Sequence, residues 1–323
     1  AAEILSRIAT LAYRRPLQVT SPDVQTLLDF YRRGREGADQ GGDGDFDSGI
    51  QQAVARVLMS PRFIFQLERE PQHVAPGESF AVDDLELATR LSFFLWSSVP
   101  DLPLLELAAS GRLREPKVLA AETTRMLEDP RSRALIENFA AQWLSLPELR
   151  EALPQDRDFD DQLRSALEDE TKLFVADFFA SDRSVVGMLD AEFTYLNERL
   201  AEHYGIGGVH GSYMRRVELA PSSPRRGLLG KGGVLMTASY PNRTSPVLRG
   251  AWLLEHLFGT PPADPPPDVE ALTENVAGKP AATVRERLEA HRTNPSCNSC
   301  HGIIDPLGFA LERFDAVGRF RER

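Results

Sequence analysis

Apolar residues recur along most of this chain at the three- and four-residue spacing of amphipathic helices. Ser21 is placed to cap a helix that opens at Pro22, and Val24, Leu27, Leu28 and Tyr31 make its apolar stripe. Gly37 to Asp47 reads as an acidic, glycine-rich loop. Ile50, Ala53, Val54, Val57 and Leu58 form the next stripe, which Pro61 ends. A polar linker over residues 70–79 marks a first boundary.

A second helical block follows. Leu87, Ala88, Leu91, Phe94 and Leu95 share one spacing, and Leu135, Phe139 and Trp143 share another after Pro130. Leu163, Leu167, Phe174 and Phe178 line a long acidic helix. The aromatic cluster Phe93, Phe94 and Trp96 suits a helix–helix core better than a ligand wall. Gly205 to Gly211 breaks the pattern and sets a second boundary. Met214 to Leu219 is the best strand candidate. A glycine-punctuated helix is expected over Gly227 to Met236, and another over Pro246 to Phe258. Pro261 to Pro267 reads as polyproline-like, with a flexible loop to Ala282. Thr283 can cap a short helix through His291. The expected fold class is mainly α: a helical module over 1–70, a central helical domain over 80–205, and a further C-terminal domain over 213–323.

Composition narrows the function classes. A net charge of −11 argues against a nucleic-acid surface, and no apolar run is long enough to span a membrane. The 323 residues include only two cysteines, and both fall in Cys297-Asn298-Ser299-Cys300-His301. This C-x-x-C-H string is the attachment pattern of a c-type haem: two thiols for thioether bonds and a His to ligate iron. A structural zinc site would want a second pair of ligands, a thioredoxin-like pair would follow a strand, and a disulfide would not need the His. The expected cofactor is one covalent haem c, which makes residues 213–323 a C-terminal cytochrome c-like haem-binding domain. Such attachment takes place outside the cytoplasm, so a periplasmic or secreted setting is expected. The chain opens without a signal segment and stops without a helix-stop signal, which suggests a piece of a longer precursor.

Around the motif several residues carry two readings each. The Pro306 carbonyl can fix the proximal imidazole, or Pro306 can open a helix running to Phe314. Phe309 and Leu311 can pack on the haem. Arg243 and Arg249 can bind haem propionates, or they can brace the turn between them through backbone carbonyls. For the sixth iron position Met236 ranks ahead of an open site and of His203, with His291 also considered; each side chain is more readily read as a core, hydrogen-bonding or surface residue. His73, His210 and His256 have no supporting context.

Longer strings carry a family resemblance. Arg14-Arg15-Pro16-Leu17 and Ser60-Pro61-Arg62-Phe63 fall in the first module. Ala88 to Ser98 and Asn138 to Leu144 fall in the second. Tyr240 to Gly250 and Asp305 to Glu312 flank the haem motif in the third. With these strings the chain resembles the planctomycete-type c-type cytochrome multidomain proteins. The resemblance implies secreted or periplasmic proteins with further modules at both ends, and it leaves the reaction open. The family usually carries Met three residues after the haem His, where this chain has Ile304. Three functions compete: electron transfer to a redox partner or to further haem domains of the same precursor, a peroxidase- or oxygenase-like haem enzyme with an open iron position, and a helical scaffold with structural haem.

Overall fold

The computed structural model describes residues 1–36, 44–66, 74–75, 77–181, 183–263 and 283–322. Most of the acidic glycine-rich loop, much of the 70–79 linker with His73, and the proline-rich run from residue 264 to Ala282 lie outside the described residues. The remainder is mainly helical and divides into two compact units, Ala1–Leu135 and Ile136–Arg323.

In the first unit the helices Ala2–Ala12, Pro22–Arg35 and Phe46–Leu58 bury Leu5, Ala9, Val24, Leu27, Ala53 and Val57 against one another. Pro22 opens its helix after Ser21, as the sequence predicts, although the Ser21 side chain makes no cap hydrogen bond. Arg14 is buried at a left-handed φ of 54°. Its guanidinium donates to the carbonyls of Arg62 at 2.6 Å, Phe65 at 2.8 Å and Phe63 at 3.3 Å. Asp23 pairs with both Arg15 and Arg62. The two strings singled out in this region therefore meet: a buried cation satisfies carbonyls that no helix can use.

The helices Asp84–Trp96, Leu102–Ala109 and Pro116–Glu128 build a second core around Ala88, Leu95, Trp96, Leu104, Leu113 and Met126. Asp83 and Glu86 form a capping box, which fixes the start of the first of these helices. Trp96 donates its indole N–H to the Met126 carbonyl at 2.9 Å and carries Arg131 on its ring at 3.5 Å. Phe94, by contrast, is 52% exposed, so the aromatic cluster is only partly core.

The second unit is centred on the helix Asp161–Ala180. Leu163, Leu167, Phe174 and Phe178 are all buried, as their spacing predicts. The expected strand forms as Arg215–Glu218 and pairs antiparallel with Phe193–Leu196, Phe193 opposite Glu218. The glycine-punctuated helix is a correction. It splits into a 3₁₀ turn, Leu228–Gly230, and a helix, Gly232–Thr237, with Lys231 extended between them. Glycine has little helix propensity, and the break lets Lys231 turn its ammonium inward to the Phe193 carbonyl at 3.1 Å. The helix Pro246–His256 follows, N-capped by Ser245.

Candidate functional site

The motif lies on the helix Pro295–Phe309. Asn294 caps its start by accepting from the Ser296 N–H at 3.0 Å, and Pro295 occupies the first turn, where its missing N–H costs nothing. The helix Val284–His291 precedes it, begun by the expected Thr283 in a capping box with Glu286. Cys297 and Cys300 are three apart on one helix, so their thiols share a face. Both are free; Cys297 is half-buried and Cys300 exposed. His301 is a further helical neighbour of Cys297, and Asp305 of His301, at the same four-residue step.

That step brings His301 onto a carboxylate. Its Nδ1–H donates to Oδ1 of Asp305 at 2.9 Å. The side chain of Asp305 is fully buried, and its Oδ2 has no hydrogen-bond partner. The nearest cation is Arg292, with Nε at 3.7 Å from Oδ2. His291 packs edge-on against the His301 ring, with centroids 4.9 Å apart. Phe309 is flanked by Arg285 at 4.1 Å and Arg292 at 5.8 Å.

Two glycines let the motif helix dock. A Cβ on Gly308 would run into the Pro246 carbonyl, and one on Gly250 into the Ile304 carbonyl. The helices Pro246–His256 and Pro295–Phe309 therefore touch backbone to backbone at both points. Beyond the helix, buried groups grip the backbone of the last described segment. Arg249 donates to the carbonyls of Leu311, Phe314 and Asp315. Arg225 reaches the Gly318 carbonyl, and His203 Nε2 lies 2.8 Å from that of Val317.

These contacts reassign several candidates. Arg249 is 1% exposed and directs its two terminal nitrogens to those carbonyls and to Ser239, so it braces the fold. Burial lowers its pKa to about 10. Arg243 is exposed and stacks on Tyr240 at 4.7 Å. Met236 is a core residue of the second unit, 5% exposed. His203 is also buried, and burial depresses its pKa. Pro306 opens no helix; it sits inside Pro295–Phe309, and the His301 imidazole meets Asp305 and not the Pro306 carbonyl. Asp305 and Arg292 went unread as site residues, although the i,i+4 step from His301 to Asp305 was visible in the sequence. Among the described residues, no group of three or more His, Cys, Asp or Glu has the arrangement of a metal cage. No described helix is long and apolar enough to cross a membrane.

Three family models match consecutive parts of the chain. PSD5, protein of unknown function (DUF1595), matches residues 1–68. PSD4, protein of unknown function (DUF1592), matches residues 82–206, and PSCyt3, protein of unknown function (DUF1588), matches residues 225–323. No curated protein and no solved structure matches. The resemblance read from the sequence strings holds to that extent: three consecutive domains of unknown function, with Cys297, Cys300 and His301 inside the third.

Proposed function

We propose that this chain is an extracytoplasmic c-type cytochrome that carries one covalent haem and passes electrons within a larger multidomain protein. The observation that carries the reading is the motif face. Two free thiols lie on one face of a helix, followed by an imidazole whose Nδ1 is already held and whose Nε2 has no hydrogen-bond partner among the described residues. Cys297 and Cys300 would hold the haem through thioether bonds, and His301 would ligate its iron from the proximal side. The haem would supply a one-electron couple. The chain's own residues orient the imidazole and hold the motif helix against the helix Pro246–His256. The abbreviation in the name PSCyt3 agrees with a cytochrome. Covalent haem attachment places the protein in the periplasm or outside the cell, and the three matched segments serve as its modules. Its partners are a redox protein or further haem domains of the same precursor.

A second reading, a haem enzyme with an open iron position, is favoured by a specific observation. Met236 is committed to the core, His203 Nε2 to the Val317 carbonyl, and Ile304 stands at the family's usual Met position. Spectra of the haem-loaded chain in both redox states separate the two. Electron transfer predicts low-spin iron in both states and slow cyanide binding. High-spin ferric iron that takes up cyanide at once would overturn it in favour of the enzyme.

A further inference from the structure

We infer that Asp305 is the positioning residue of the proximal imidazole and holds the iron at a low reduction potential. The inference rests on the haem reading above and adds a residue that reading does not need. A carboxylate with no exposed surface carries a large desolvation cost unless it is paired and hydrogen-bonded. Asp305 is so buried, yet only Oδ1 is satisfied, by His301 Nδ1 at 2.9 Å. Oδ2 has no hydrogen bond, and the Arg292 guanidinium stands 3.7 Å away without donating to it. A buried polar atom left in that state calls for an explanation. A structural role does not supply one, because an apolar side chain at this position would fill the space without the penalty.

The role toward His301 does. An imidazole that ligates a metal through Nε2 is oriented by what its Nδ1–H meets, and a carboxylate there makes the ring a stronger donor than a backbone carbonyl does. Stronger donation favours ferric over ferrous iron, so the potential falls. The helix builds this pair by itself, since His301 and Asp305 are one turn apart. Pro306 follows Asp305 inside the helix and has no N–H of its own to compete for the carboxylate. Arg292 lies close enough to offset the charge without taking the oxygen that His301 uses.

The test uses the full chain matured with covalent haem. Asp305→Asn keeps the shape and a carbonyl acceptor but removes the charge. The holo Asn variant should retain covalent haem and shift to a higher reduction potential. A holo Asn variant with the wild-type potential overturns the inference and leaves the haem reading standing. A wild-type chain that takes no covalent haem overturns both. If the Asn variant fails to load, a crystal structure of the wild-type holo chain decides. His301 Nδ1 on Asp305 supports the inference, and Nδ1 on the Pro306 carbonyl or on water overturns it.

Discussion

Lys231 has no exposed surface; its ammonium donates to the Phe193 carbonyl and lies 4.1 Å from the Phe174 ring, with Glu170 and Arg225 acting on it electrostatically. Burial lowers its pKa from 10.5 to about 8. Between those values the unfolded chain holds a proton that the folded chain has released, so stability rises with pH across that window. The penalty below pH 8 is about 3 kcal/mol at 1.36 kcal/mol per unit. The difference in unfolding free energy between wild type and Lys231→Met, followed from about pH 7 to about pH 10.5, should therefore move in favour of wild type. A pH-independent difference would contradict the assignment. His203 behaves alike at the acid end: burial depresses its pKa below 6.5, so the stability it permits is lost as pH falls below that value. Arg249 makes a sharper case. Arg249→Met would strand the buried carbonyls it serves, at roughly 1–3 kcal/mol each, and should lower the denaturant midpoint clearly. An unchanged midpoint would mean that those carbonyls find other donors. The sequence offers Arg249 two readings, a propionate or the backbone carbonyls of the neighbouring turn. A guanidinium suits a propionate and a cluster of carbonyls equally well, and only the burial distinguishes them. Asp305 gives a weaker signal: it stands one helical turn after His301, but a lone acid there reads as an ordinary helix residue.

At the scale of elements, the helix signals were strong wherever apolar spacing and caps agreed. Ser21 with Pro22 and Thr283 mark helix starts that the structure contains. The strand Phe193–Leu196 carries no glycine-rich break beside it, unlike Arg215–Glu218, and runs almost directly into the helix Glu198–Tyr204. Pro306 does not open a helix to Phe314, one of its two readings; it lies inside Pro295–Phe309. A proline inside a helix is rare enough that the pattern points to a boundary, whereas Asn294-Pro295 carried the true start. The docking of that helix gives a direct test. Gly308→Ala would push a methyl group into the Pro246 carbonyl and should cost about 1–3 kcal/mol. Alanine normally favours helix, so a gain in stability would contradict the close approach of the two helices.

For the whole molecule, the sequence boundaries and the compact units describe different things. The family matches end near residues 68 and 206, while the compact division falls at Leu135, inside the central segment. The core of the second unit runs from Ala140 to Leu253, so residues before and after 206 share it. Leu307 and Leu311 only pack at its margin. The haem-free chain should therefore keep that core while its motif helix loosens. Hydrogen exchange should be faster over residues 295–309 than over 161–180 in apo protein, and haem should slow the first region selectively. Equal protection of both without haem would show that the motif helix needs no cofactor. The central claim, covalent haem on Cys297 and Cys300, is tested most directly by intact mass. The chain, matured in a bacterial periplasm with covalent-haem machinery, is extracted with acid–acetone and weighed. A mass higher by one haem, lost when both cysteines are changed to alanine, is the predicted result. A wild-type chain that emerges colourless at the mass of the polypeptide alone would contradict it.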